Sequence, residues 1–177
     1  LDKIQSITPS VKTTNQFSQE FILIEKIKDF FVARGFSEIQ TRSFTNKGDI
    51  EVAYPMASDK RFLRTSLIPN VSEAFKLAEK SAVLLGIDEI KIFEIGKTFP
   101  KTGEELDLCF GICPTKKIKN REQVIKDRLD VLARELEAEL GVKLNAENGY
   151  VKNLERIQTK LSLSDLHTER GNRAEFV

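Results

Sequence analysis

Arg64 is the side chain whose setting most invites a chemical role. It stands in "FLRTSLIPNV" (residues 62–71), behind an apolar pair and ahead of two hydroxyl residues, Thr65 and Ser66, where Pro69 opens a helix-like stretch. A guanidinium there could grip a phosphate or a substrate through its planar fork of donors. It could equally tie the helix to a nearby carboxylate, with Thr65 or Ser66 capping the first turn. Glu94, the one acid inside the apolar "KIFEI", is the natural candidate for that carboxylate. The other reactive residue types carry less. Cys109 and Cys113 in "CFGIC" could ligate a metal only with partners elsewhere, and with a single histidine, His167, no zinc site is expected. Both thiols read as reduced, packed strand residues. The acids of "GEEL" (103–106) and "ELEAEL" (135–140) read as solvated charge. Lys116, Lys117, Lys119 and Arg121 form a short basic cluster, but no aromatic residue interleaves for base stacking, so a solvated loop is expected. A P-loop, a GxGxxG turn and a GxSxG elbow are all missing from the sequence.

Positioning such residues needs a core, and 177 residues with 40% hydrophobic and 31% charged side chains are enough to build one. Lys plus Arg number 28 against 27 Asp plus Glu, a net charge of +1 that creates no global field for nucleic acid. No apolar run approaches the roughly 18 residues of a membrane span, and the N-terminus has no signal-peptide core, so a soluble, cytoplasmic chain with no membrane partner is expected. It opens on Leu1 and closes on the apolar "RAEFV", which reads as a piece of something longer.

Residues 1–16 are polar and aperiodic, an expected arm or connector before one domain over 17–177. Phe17, Phe21, Ile24, Ile27 and Phe31 recur at helical spacing up to Arg34, and Gly35 then supplies a left-handed cap. "FSEIQTRSF" reads as a strand and "IEVAY" as a short one between turns. A second helix is predicted over about 70–85, with Val71, Phe75, Leu77, Ala78, Ala82 and Leu85 near one side and Gly86 ending it. Strands at 89–99 and 105–112 flank "PKTGE", the mark of a hairpin. The clearest helix follows at 119–141, with Val124, Ile125, Leu129, Leu132, Leu136 and Leu140 on one face, and short strands close the chain. The order implies an α+β fold, an antiparallel sheet flanked by helices.

Taken in order, "EKIKDFFVARGFSEIQTRSFT", "YPMASDKRFLRTSLIPNVSEAFKLA", "IKIFEIGKTF" and "ELDLCFGI" resemble the core domain of the phenylalanyl-tRNA synthetase beta subunit. The matching positions run from Gly35, Phe36 and Glu38 through Ser43, Phe44 and Pro55 to Leu63, Arg64, Thr65, Ser66, Leu67 and Pro69, then Phe93, Glu94, Gly96 and Phe99. "DLHTERGNRAEFV" is similar to the family's "HPGR.AEI" segment, with Thr168 and Glu169 in place of Pro-Gly. The resemblance implies a class II aminoacyl-tRNA synthetase-like fold that has lost its catalysis. An arginine that would hold the ATP α-phosphate is expected near Phe99 and Pro100, and "GNRAEFV" lacks the GxGxxR arginine for the γ-phosphate. Lys97 and Lys101 stand close by, although a flexible ammonium replaces a guanidinium fork poorly. The resemblance therefore implies no catalytic residue and no cofactor on this chain, with ATP and magnesium serving a holoenzyme. Its implied partners are a catalytic alpha subunit and, through the hetero-oligomer, tRNA. Phe21, Ile24, Ile27 and Phe31 are the expected subunit contact or core; Gly35, Arg64, Thr65, Ser66, Glu94 and Gly96 are the expected structural motif. The rivals are a stand-alone ATP-dependent ligase of the same fold, amide- or biotin-type, an RNA-binding or regulatory paralogue, and an unrelated α+β domain.

Overall fold

The computed structural model describes residues 18–55, 57–141, 146–150 and 157–162. The expected arm at 1–16, together with Phe17, His167 and the "GNRAEFV" end, lies outside the described residues.

Helix α1 spans Gln19–Ala33, started by Ser18, whose Oγ accepts the Phe21 N–H at 3.1 Å. It ends in a Schellman motif. Phe36 N–H reaches Phe31 O and Gly35 N–H reaches Val32 O, both at 3.0 Å, with Gly35 at φ 77°. That turn throws Phe36 back onto Phe31, ring centroids 5.1 Å apart, the apolar contact that usually accompanies this cap. The chain then departs from the single strand expected over 36–44. It forms β1 (Ser37–Glu38), leaves the sheet, and pairs again only at β2 (Phe44–Thr45), antiparallel to β3 (Phe62–Leu63). "IEVAY" contributes an isolated bridge from Glu51 to Phe62 rather than a strand.

Helix α2 runs Ile68–Ala82, two residues earlier than the periodicity indicated, with Pro69 in its first turn. Its last turn continues in hydrogen bonding to the predicted stop: Leu85 N–H bonds to Ser81 O, and Gly86 and Ile87 repeat the Schellman pair on Val83 and Ala82. Leu77 and Leu85 do not face the core, being 59% and 71% exposed. Strands β4 (Glu89–Thr98) and β5 (Glu105–Pro114) form the predicted hairpin, its turn closed by Gly103 N–H to Pro100 O at 3.0 Å. Helix α3 (Arg121–Leu140) ends at left-handed Gly141. It buries Ile125, Leu129, Leu136 and Leu140 and partly buries Leu132, while Val124 is exposed. Strands β6 (Ala146–Tyr150) and β7 (Ile157–Ser162) complete the sheet.

The main sheet has the order β1-β4-β5-β7-β6. Contrary to the expectation of an antiparallel sheet, it is mixed: β1 pairs parallel to β4, Ser37 opposite Ile92, and the other three pairings are antiparallel. The reason is topological. The segment between β1 and β4 holds α2, and a crossover of that length returns the chain in the same direction. Strand alternation divides the core. Phe93, Leu108, Phe110 and Ile112 point to α1 and α3, whereas Ile90, Ile92, Cys109 and Cys113 meet Leu67, Val71, Phe75 and Ala82 of α2.

Candidate functional site

Glu94, Gly96 and Thr98 alternate along β4 and so share the sheet face that α2 covers, with Cys109, Asp107 and Glu105 as their partners on β5. Arg64 comes to this face from the end of β3. Its backbone is pinned on both sides, its N–H to Ser43 O and its carbonyl from Phe99 N–H, each at 2.8 Å. From there the side chain lies across Gly96. Nε donates to Lys97 O at 2.8 Å, and Nη1 donates to Glu94 Oε1 at 2.8 Å and to Thr41 Oγ1 at 2.9 Å. The two charged side chains are 5% and 0% exposed.

Thr41 completes the cluster. Its N–H donates to Glu94 Oε1 at 3.1 Å, and its hydroxyl lies 2.7 Å from Glu94 Oε2. A hydroxyl carries one proton, so Thr41 Oγ1 gives it to the carboxylate and accepts from Arg64 with a lone pair. Each charge thus meets the opposite charge and additional neutral dipoles, the condition under which a buried ion pair survives its desolvation. A side chain at residue 96 would occupy the guanidinium's place, because the nearest atom to a Cβ there is Arg64 Nη2, followed by Glu94 Oε1 and Leu67 Cδ2. Close approach, not a special φ, is what demands glycine here. A second buried polar contact lies one step along the face, where Thr98 Oγ1 donates to Asp107 Oδ2 at 2.6 Å.

Arg64 therefore spends its Nε and Nη1 donors on the protein itself. A cavity of about 570 Å³ between residues 40–46 and α2 is lined by Thr41, Arg42, Phe44, Asn70 and Glu73, so of the cluster Thr41 reaches its wall and Arg64 and Glu94 do not. Phe99 and Pro100 stand half-buried at the end of β4. Of the two nearby cations, exposed Lys97 pairs with Glu104, whose hydrogen bond raises its pKa, and Lys101 is exposed in the turn. Ser66, not Thr65, engages the helix start, its Oγ accepting Ile68 N–H at 3.3 Å; the N-cap residue itself is Leu67.

The α1 residues divide. Ile27 and Phe31 are fully buried in their own core, Ile24 is partly buried, and Phe21 is 46% exposed beside exposed Ile22. Cys109 and Cys113 are buried and joined in no disulfide, and Cys113 Sγ lies 2.8 Å from Glu79 Oε1. Among the described residues no three His, Cys, Asp or Glu side chains converge to hold a metal ion. Across the sheet Arg128 makes a two-pronged contact with Glu89, one prong at 2.9 Å, and that hydrogen bonding holds the Glu89 carboxyl below its ordinary value against the opposing effect of burial. Thr41 and the Glu89–Arg128 pair had no signal in the sequence, since each is assembled by contacts distant along the chain.

Residues 4–153 match the family model described as the phenylalanyl tRNA synthetase beta chain CLM domain. A phenylalanine–tRNA ligase beta subunit of Staphylococcus aureus (strain bovine RF122 / ET3-1) is 26% identical over 170 residues, covering 84% of this chain and 20% of that protein. The corresponding subunit of Carboxydothermus hydrogenoformans is 28% identical over 109 residues, covering 53% and 13%. The chain thus spans about a fifth or less of the length of these curated relatives. Among solved structures, pyrrolysyl tRNA synthetase PylSc of Desulfitobacterium hafniense superposes with a TM-score of 0.66 at 18% identity, over 90% of this chain and 71% of that one. A histidine–tRNA ligase subunit of Alicyclobacillus acidocaldarius gives 0.50 at 14% identity, over 79% and 44%. Both are similar in fold.

Proposed function

Because the chain belongs to the phenylalanyl-tRNA synthetase beta-chain family, we propose that it forms the class II-like core of a beta subunit, a part that shapes the synthetase without carrying out its chemistry. Its work is to support a catalytic alpha subunit and the positioning of tRNA during ATP-dependent, magnesium-dependent aminoacylation in a hetero-oligomer of the cytoplasm.

The observation that carries this reading is the occupied sheet face. Arg64, Glu94 and Thr41 bond to one another there, and Leu67, Val71 and Phe75, all fully buried, pack between the strands and α2. Catalysis of phosphoryl or adenylyl transfer depends chiefly on fixed positive charge where the leaving group develops its negative charge. The end of β4 offers Phe99 and Pro100 instead.

Photolabelling with 8-azido-ATP tests the reading on the complete synthetase purified from its source. The label is expected on the partner chain. Specific labelling of the β4–β5 hairpin, competed by ATP, would instead support the stand-alone ligase.

A further inference from the structure

The C-terminal turn of α2 presents Val83, Leu84 and Leu85 to solvent at 71%, 88% and 71% exposure, with Ile87 at 42%. Leu77, one heptad before Leu84 and on the same side of the helix, adds 59%. The segment after β5 lies against this turn, since the Thr115 hydroxyl donates to Ile87 O at 2.7 Å and its N–H donates to Asp88 O at 2.9 Å, and it adds Ile118 at 40%. Nothing local requires these residues. The cap needs glycine at Gly86 and an apolar residue at Ile87, and it leaves 83–85 free to be polar. Single exposed apolar residues are ordinary, but a contiguous group of this kind marks a contact surface.

The rim of the patch is basic. Lys80, Lys117 and Lys119 are exposed and make no ion pair among the described residues, whereas Lys116 is already matched by Asp88 at 2.7 Å. An apolar centre flanked by cations that meet no counter-charge among the described residues complements a segment with the opposite pattern.

We propose that the patch formed by Leu77, Val83, Leu84, Leu85, Ile87 and Ile118 is a docking surface for another polypeptide, which meets it with an amphipathic helix whose apolar anchors are flanked by carboxylates. The apolar centre supplies affinity, and Lys80, Lys117 and Lys119 fix the register. The surface is independent of the synthetase reading, because it lies at the opposite end of the hairpin from Phe99 and Pro100.

Zero-length carbodiimide cross-linking of the native complex, followed by sequencing of the joined peptides, tests this. The expected product joins Lys80, Lys117 or Lys119 to an Asp or Glu in an apolar segment of a different polypeptide. The Leu84→Ser/Leu85→Ser variant, checked for unchanged circular dichroism, should lower the affinity of that polypeptide about tenfold or more. Lys117→Glu should weaken it less and recover when the cross-linked acid is changed to Lys. Bonds confined to this chain, bonds to a second copy of it, or no bond from these lysines would overturn the proposal. So would leucine-dependent co-sedimentation with vesicles of three parts phosphatidylcholine to one of phosphatidylserine. Should the leucine variant leave the complex intact, the docking surface fails and the scaffold function stands.

Discussion

The two faces of the main sheet are built on different principles. Toward α1 and α3 the packing is aromatic: Phe31 stacks on Phe93 at 4.9 Å and touches Phe110 at 5.0 Å, Phe36 at 5.1 Å and Phe30 at 5.3 Å. At its centre no polar group is needed, and the alternation of β4 and β5 supplies Phe93, Ile95, Leu108 and Phe110 there; the polar side chains of this face, Glu89 and Lys91, stand toward its edge, against Arg128 and Phe36. Toward α2 the apolar packing of Val71 and Phe75 gives way, at residue 94, to a buried ion pair, Glu94 fully enclosed and Arg64 nearly so. Dispersion and desolvation hold the first face, tolerant of any shape that fills it. The second holds only while every donor and acceptor keeps its partner. On this face Arg64, Glu94 and Thr41 direct their hydrogen bonds at one another.

Single substitutions should break both faces by similar amounts for opposite reasons. Arg64→Ala leaves Glu94 charged and buried, at an expected cost of about 3–5 kcal/mol. Phe31→Ala opens a cavity at the centre of four aromatic contacts, again about 3–5 kcal/mol. Chemical denaturation checks both, and a second change separates them. Arg64→Met together with Glu94→Leu removes both charges and should cost less than Arg64→Ala alone. On the aromatic face, a second large-to-small change beside Phe31 should only add to the loss.

Smaller effects sharpen the contrast. Gly96→Ala places a methyl group where the Arg64 guanidinium lies, and overpacking of this kind costs about 1–3 kcal/mol. Combined with Arg64→Met, which vacates that space, its added cost should fall toward zero, as a thermal-melt cycle would show. Least costly is Glu89→Gln on the partly exposed pair with Arg128, expected at about 1 kcal/mol or less. The sign with pH follows from the lowered Glu89 pKa. The pair's stabilisation is fully present above the ordinary value of 4.5 and is lost as pH falls through the lowered folded value. The stability difference between the native chain and Glu89→Gln should therefore be flat near neutral pH and shrink in acid, as urea titrations across that range would reveal.

Much of the aromatic face was legible because its signals are local. Helical spacing gave α1 and α3, Gly35 and Gly141 marked their ends, and Pro100 with Gly103 marked the hairpin. Leu77, Leu85 and Val124 fall on the apolar stripes of their helices yet lie outward, because periodicity gives the direction of an apolar stripe and not the width its neighbour covers. The break between β1 and β2 was invisible for another reason. Residues 39–43 leave the ladder to bond with Phe93, Glu94 and Arg64, all far away in sequence. Glu94 drew attention as an acid in an apolar strand, and Arg64 as a cation among apolar neighbours. Thr41 did not, since an isolated threonine in a polar stretch has no signature until the fold brings it to both charges.

The claim that this face supports structure and not chemistry is tested most directly by single-turnover formation of phenylalanyl adenylate in the complete synthetase, comparing the native beta chain with Arg64→Lys. Lysine keeps the charge and loses the fork that reaches Lys97 O, Glu94 and Thr41 together. The expected result is a lower melting temperature with an unchanged rate per folded complex. A fall in that rate of about a hundredfold, with the complex still assembled and folded, would contradict the account and place Arg64 at the reacting phosphates.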